Sequence, residues 1–423
     1  MEKEKDKRKK YEIILIAVCL FAYITSQLGR HSYNSTKTLF IDLFGVSHEA
    51  AGLPTTLFFF AYGLGQVVFA PLYAKLNSRI TVPVALSISA AANFAVFFGM
   101  DFGYVKYAWL INGAAQALLW PTFILTLTRN IAAKRMPLCA FLMSTASTGG
   151  MFLAYGVSSL FAIDPEIFLW TFFSGAAMML AGAVLWFFTV SGRKGEEESE
   201  KTEEDAIESA EEKTEEKKSS FFALLPLIIT LACFAEFAAA SYAIGGGITQ
   251  WFPAILKENY GLNDAVSILV TVFIPLFSVP NAVVAGWLYS KTKDFVVCSA
   301  LLFALGTVLL FLTVPALGGS AAIVVALFII TNLAIGVISN QMAVQAPLLL
   351  KGRINSGFLA GLLNGCCYIG SAVSTYVLGV VADNSGWATA FVVLAVMSGV
   401  SAALAIIFLL VTRIKKRAAH IGS

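Results

Sequence analysis

Charge is what this sequence has least of. Only 13% of its 423 residues are Asp, Glu, Lys or Arg, about half the share carried by a soluble domain. The little charge present is also unevenly placed. Of 26 acidic residues, four (Glu2, Glu4, Asp6, Glu12) lie at the N-terminus and twelve between Glu196 and Glu216, leaving ten elsewhere. Such a chain cannot present the solvated surface of a soluble enzyme or the basic face of a nucleic-acid binder. The net charge of +3 points to no partner. Cysteine is scarce as well. Cys19, Cys139, Cys233, Cys298, Cys366 and Cys367 sit in or beside apolar runs, with no Cys-x-x-Cys spacing and no His near enough to complete a metal set. They read as small hydrophobes, so neither a disulfide nor a metal is expected, and no cofactor is implied. No Gly-x-x-x-x-Gly-Lys-Ser/Thr phosphate loop and no paired acid/base or nucleophile constellation occurs, so the expectation is a protein that is not an enzyme and draws no energy from a nucleotide.

What fills the chain instead is apolar sequence, 58% of all residues. A hydrocarbon layer about 30 Å thick takes about 20 helical residues to cross. Apolar runs between charged or Pro/Gly/Asn breaks predict twelve spans, at 12–32, 51–73, 80–100, 104–128, 137–161, 167–190, 221–250, 265–289, 295–314, 319–345, 355–380 and 386–412. Their length and continuity require helices, because an open strand cannot satisfy its backbone in lipid. Lys and Arg set the orientation. With the N-terminus inside, 25 of the 29 basic residues fall in inner segments, three (Lys37, Lys106, Lys257) fall outside, and Arg30 is left over. Both termini are therefore expected in the cytoplasm, and the chain in the plasma or inner membrane.

The expected organisation is an N-terminal tail (1–11), a six-helix bundle (12–190), a charged linker (191–220), a second six-helix bundle (221–412) and a C-terminal tail (413–423). The linker is rich in Glu, Lys and Ser and reads as a solvated tether. The two halves carry a faint repeat. Ala70-Pro-Leu-Tyr-Ala-Lys75 matches Gly286-Trp-Leu-Tyr-Ser-Lys291 at an offset of 216, and at an offset of 220 Asn112 falls on Asn332 and Gly150 on Gly370. Such a duplication marks many transporter folds.

The short basic loops after spans 2 and 8, the long charged middle loop and the six-plus-six repeat resemble the major facilitator superfamily. The loop motif is degraded, with Ala74 at its acidic position. A narrower likeness, to the organophosphate:phosphate antiporter branch and its anion-transporting relatives, rests on several segments. These are Arg30, Ser47-His-Glu-Ala-Ala-Gly52, Phe60-Ala-Tyr-Gly63, Trp120-Pro121, Thr148-Gly-Gly150, Trp251-Phe-Pro-Ala-Ile-Leu-Lys-Glu258 and Ala382-Asp-Asn-Ser-Gly-Trp387. The resemblance implies an all-α membrane protein with twelve transmembrane helices in two pseudo-symmetric bundles. It further implies a secondary active transporter of a small organic anion, of organophosphate or carboxylate type, working by alternating access.

Ionisable groups within spans cost on the order of 2.5–3.5 kcal/mol at a helix centre, so those that persist suggest function. Two stand out. Arg30, placed near the outer end of span 1, carries a planar fork of donors suited to phosphate or carboxylate; it can equally snorkel at the interface. The resemblance implies substrate binding there. It also implies a second arginine in span 7, where this chain has Gly245-Gly-Gly247, and the glycines are expected to bend that span. Glu236, in span 7, is a candidate proton carrier, or a structural residue that is protonated and hydrogen-bonded within the bundle or paired with Arg30. Neutral contacts are expected from Tyr33, Gln66, Tyr242, Asn364 and Tyr368, and gate-loop roles from Lys75, Arg79, Lys291 and Lys293. The expected partners are an anionic small molecule and the lipid bilayer, with proton or phosphate as counter-ion and no nucleic acid, for a monomer. Proton-coupled symport through Glu236 and a transporter-like sugar-phosphate sensor remain the alternatives.

Overall fold

The computed structural model describes residues 2–99, 101–190, 221–278, 280–349 and 356–421. The charged linker and the loop holding Lys351 and Arg353 lie outside them. The described chain is helical almost throughout. The first half holds α1 (Glu2–Phe44), α2 (His48–Phe69), α3 (Ser78–Phe98), α4 (Val105–Ala117), α5 (Leu119–Asn130), α6 (Met136–Phe161) and α7 (Trp170–Thr189). The second holds α8 (Phe221–Tyr260), α9 (Asp264–Val272), α10 (Asn281–Thr292), α11 (Phe295–Ala316), α12 (Ala321–Asn340), α13 (Ala346–Leu349) and α14 (Ser356–Ile421). Among the described residues, nine helical stretches are long and apolar enough to cross a membrane. The longest, Phe358–Thr412, spans 55 residues and is two helical arms, because Gly386 breaks α14 with φ 77° and ψ 171°.

Each half packs around its own apolar core. In the second half Phe237, Trp251, Phe252, Phe303, Phe328 and Phe391 belong to one cluster. In the first, Leu86, Phe123, Met179 and Trp186 form another. A third cluster, around Tyr33, Phe58 and Trp109, takes in Ile268 and Val272 of α9 and Ala372 of α14, and so ties the halves together. The repeat seen in the sequence has a structural counterpart. Asn112 Nδ2 donates to Gly29 O on α1, and Asn332 Nδ2 donates to Thr249 Oγ1 on α8. A methyl group at Gly150 would meet the Gln27 side chain of α1 at 2.8 Å, while one at Gly370 would run into Ala239 O of α8. Each matched pair thus does the same job, holding the first helix of its own half.

Two expectations are corrected. Helix α1 does not end near residue 32; it continues to Phe44. The polar run that suggested an interface is enclosed by protein instead, with Ser32, Ser35, Thr36, Thr38 and even Lys37 buried. Its hydroxyls are satisfied by protein: Ser35 lies within hydrogen-bond reach of His31 O and of Ser158 Oγ on α6, Thr36 donates to Ser32 O, and Thr38 donates to Asp264 of α9. This back-bonding lets a polar helix survive without water. Arg30 therefore sits fourteen residues before the end of α1, about 21 Å along the axis, and Lys37 is an interior residue, not a loop cation. The second correction concerns Gly245-Gly-Gly247. Helix α8 runs unbroken from Phe221 to Tyr260. The glycines serve close packing, since a methyl at Gly246 would lie 2.8 Å from Ser371 Oγ of α14 and one at Gly245 3.2 Å from Asn332 Oδ1 of α12.

The glycine contacts yield a test. At Gly113 an added methyl collides with the Phe58 backbone, whereas at Gly149 nothing lies within 4 Å. Gly113→Val should lose most folded protein on size-exclusion chromatography, or unfold at a markedly lower temperature, because overpacking against a backbone cannot relax cheaply. Gly149→Ala should be as stable as the parent or slightly more so, since alanine is the better helix former.

Candidate functional site

The site begins with the way α1 is held. Gly29 O, one residue before Arg30, accepts hydrogen bonds from Asn93 Nδ2 (3.0 Å), Asn112 Nδ2 (3.2 Å) and Ser32 Oγ (3.2 Å). Asn93 Oδ1 in turn accepts from Ser32 Oγ, and Gln116 Nε2 bridges Ser26 O and Asn112 Oδ1. Residues of α3 and α4 thereby fix the rotation and height of α1, and with it the direction in which Arg30 leaves the helix.

Arg30 leaves toward the junction of the two halves and is 7% exposed. Its guanidinium carbon lies 4.5 Å from the Tyr62 ring centre and 5.2 and 5.6 Å from those of Phe58 and Phe59, all on α2. It lies 5.0 Å from the Tyr368 ring, on the first arm of α14 in the other half. Ring faces attract a cation by about 2 kcal/mol when desolvated, well short of what a full counter-charge supplies. Among the described residues no carboxylate pairs with Arg30, and its Nε has no hydrogen-bond partner. Tyr368 also packs on Tyr62 (4.5 Å between centroids) and on Tyr242 of α8 (5.4 Å). An electron-rich aromatic cage drawn from α2 and α14, and backed by Tyr242 of α8, therefore holds one unneutralised cation. One turn along α2, Gln66 Oε1 accepts from Asn364 Nδ2 of α14, while Gln66 Nε2 is buried without a partner.

The structure thus brings Arg30, Gln66, Tyr242, Asn364 and Tyr368 into one region. The other expected residues lie elsewhere. Tyr33 is buried among Phe40 and Trp109, and its hydroxyl is committed to Ala51 O at 2.7 Å. Glu236 accepts from Ser401 Oγ of the second arm of α14 at 2.6 Å, its other oxygen unpartnered. Arg79 donates to Phe187 O and lies over the Phe187 ring, tying α3 to α7. Lys75, Lys291 and Lys293 are exposed at helix ends, Lys293 in the left-handed region that closes α10.

A second polar centre was not anticipated as a unit, although its three segments had each been singled out. At the end of the molecule away from the termini, His48 Nδ1 lies 2.6 Å from Asp383 and His48 Nε2 lies 2.7 Å from Glu258. Asp383 also accepts from the backbone amides of His48 (2.9 Å) and Glu49 (2.8 Å), capping α2 from the opposite half. Unpaired amides at a helix start favour a carboxylate in that position. Beside it Lys257 pairs with Asp42 and Asp264, and Trp251 and Trp387 pack on the His48 ring at 5.7 and 5.4 Å. Sequence spacing could not foretell this meeting, because His48, Glu258 and Asp383 come from three distant helices. Lys37 was also missed as an interior cation. Its Nζ lies 4.0 Å above the Trp251 ring and 3.4 Å from Gln250 O.

Comparison with known proteins places this architecture. Over most of its length the chain is similar to the bovine (Bos taurus) protein named "Sugar phosphate exchanger 3", at 23% identity covering 87% of this chain and 83% of that one. A shorter stretch, 28% of the chain, is 29% identical to a "Probable hexose phosphate transport protein" of Chlamydia pneumoniae. Among solved structures, a bacterial homologue of the human lysosomal transporter Spinster superposes with a TM-score of 0.76 over 94% of this chain and 97% of that one, at 12% identity. That likeness shows a shared fold. The family model described as Major Facilitator Superfamily matches residues 19–375. That match covers most of the chain, and the chain belongs to the Major Facilitator Superfamily.

Proposed function

We propose that this transporter exchanges small organic anions of the organophosphate type across its membrane by alternating access, with Arg30 binding the anionic group. The observation that carries this reading is a buried guanidinium at the junction of the halves with no carboxylate beside it. A cation so placed is stabilised when an anion arrives, and the Tyr242 and Tyr368 hydroxyls, with Gln66 and Asn364, offer neutral donors around it. The names of the similar bovine and chlamydial proteins favour phosphorylated sugars as the substrate class. Tyr33 is left out of the proposed site because its hydroxyl is already bonded to Ala51 O. Glu236 is given no coupling role, since it turns to Ser401 on the second arm of α14. We read twelve crossings, a monomer, and both termini on the cytoplasmic side of the plasma or inner membrane.

In the same proposal the contacts of His48, Glu258 and Asp383 are the closed gate of one access path. They join α2 to α8 and α14 across the halves at the end away from the termini, where Ser159 Oγ of α6 also reaches Ala265 O of α9. Opening that end breaks these bonds together.

Two outcomes test the proposal. In proteoliposomes loaded with phosphate, the parent chain should take up a sugar phosphate, and Arg30→Gln should lose about a hundredfold or more of that uptake, as befits a charge-assisted contact in a dry site. Parent-level uptake of every substrate by Arg30→Gln would overturn the assignment. For the gate, Asp383→Ala removes the acceptor of two backbone amides and the His48 ring. Spin labels on cysteines introduced at Leu43 and Ala388 should then show longer distances by pulsed resonance than in the otherwise native chain; an unchanged distribution contradicts the gate.

A further inference from the structure

Lys37 is the charged group that the proposed site does not use. It is 2% exposed and lies deep inside α1, in a stretch where every residue from Thr25 to Phe40 is buried. Among the described residues no carboxylate pairs with it. Its neighbours are the Trp251 ring at 4.0 Å and the Gln250 carbonyl at 3.4 Å, and the side-chain oxygen of Gln250 is itself buried without a hydrogen-bond partner. A desolvated ammonium held by one ring face and one long carbonyl contact is poorly compensated, because burying a charge costs several kcal/mol and a ring face returns about 2. Nothing in the packing needs it. A methionine would fill the same space without that cost.

Its position is informative. Lys37 follows Arg30 by seven residues, which on an α-helix is nearly two full turns, so both project from one face of α1 about 10 Å apart along the axis. The layers above Arg30 then follow in order. Arg30 itself lies in the cage of Tyr62 and Tyr368; next comes Lys37 against Trp251 and Gln250, then His48 between Glu258 and Asp383. Trp251 connects the last two layers: its ring carries Lys37 on one side, packs on His48 at 5.7 Å, and donates from Nε1 to Thr375 O at 2.9 Å. The ring and the carbonyl that contact its ammonium, Trp251 and Gln250, both come from α8 of the other half. When α1 and α8 part at this end and the His48 contacts open, Lys37 is uncovered before Arg30, on the line that leads to it.

We propose that Lys37 is a second anion-binding residue of the transport path, engaging the substrate when the end away from the termini is open. It supplies a positive charge besides that of Arg30, on the same face of α1. This rests on the exchange function proposed above and narrows its substrate class. One guanidinium suits a carboxylate; two cations along one helix face suit a phosphate ester carrying two negative charges.

The test is exchange kinetics in proteoliposomes of known orientation, with glucose 6-phosphate or inorganic phosphate added to one face at a time. Lys37→Met should raise the half-saturating concentration about tenfold to a hundredfold from the face away from the termini, the span expected for one lost charge-assisted contact. From the other face it should change little, and Lys37→Arg, which keeps the charge, should retain more of the parent's affinity than Lys37→Met. Lys37→Met should also unfold at a higher temperature than the parent in detergent, since removing an uncompensated buried charge relieves its cost. A structural role predicts the reverse: a lower unfolding temperature with half-saturation unchanged from either face, and that result overturns the proposal. Should the parent exchange phosphate compounds while Lys37→Met matches it from both faces, this inference falls and the exchange function stands. A parent inert to every anion tried would overturn both.

Discussion

A positive charge without a counter-charge, held where two helical bundles meet, is the constraint around which this molecule is arranged. Lipid and protein interior both penalise a bare ion, so the surroundings of Arg30 have to be fixed by something other than an ion pair. The chain uses amide hydrogen bonds to do it. Asn93 of α3 and Asn112 of α4 converge on Gly29 O of α1, and their side-chain oxygens accept from Ser32 and Gln116. Interhelical bonds of this kind are worth only about 0.6 kcal/mol apiece. Their value lies in setting the rotation of α1, so that Arg30 meets the rings of Tyr62 and Tyr368 and not the bilayer.

The seam between the halves follows from the same logic. A transporter needs two bundles that touch closely yet part at one end, so their contacts must be small and reversible. Along α2 and the first arm of α14 the close approaches are made by glycine: Gly63 beside Gly365 O, Gly52 beside Thr375 O, and Gly379 beside His48 O. At the end away from the termini the contacts become ionic, through His48, Glu258, Asp383, Lys257 and Asp42. Glycine packing lets one backbone slide or tilt on another, and ion pairs can be exchanged for water once solvent enters. The buried aromatic cores, by contrast, lie mainly within each half and keep the bundles rigid.

Much of this was legible in the sequence, and the failures share a cause. Apolar run length located most helices, and the faint repeat of Asn112 with Asn332 and Gly150 with Gly370 proved to mark equivalent packing sites. The error came at α1. A run of Ser, Tyr, Asn, Thr and Lys after Arg30 looks like an interface, because hydropathy cannot distinguish a polar residue facing water from one facing another helix. The same blindness hid Lys37 inside a presumed loop and placed Arg30 too near the surface. Gly245-Gly-Gly247 suggested a bend on propensity alone, but Ser371 and Asn332 press against it and tertiary packing keeps α8 straight. The meeting of His48, Glu258 and Asp383 depends on the register of three helices, which composition does not contain.

The central claim is that Arg30, the cation held at the junction of the halves, receives an anionic group. Calorimetric titration of the purified chain with glucose 6-phosphate and, separately, with glucose addresses it most directly, since the two ligands differ only in the phosphate. The account predicts saturable binding of the phosphorylated sugar that weakens as salt is raised, and no measurable binding of glucose. Equal binding of the two sugars, or binding of glucose alone, would contradict it.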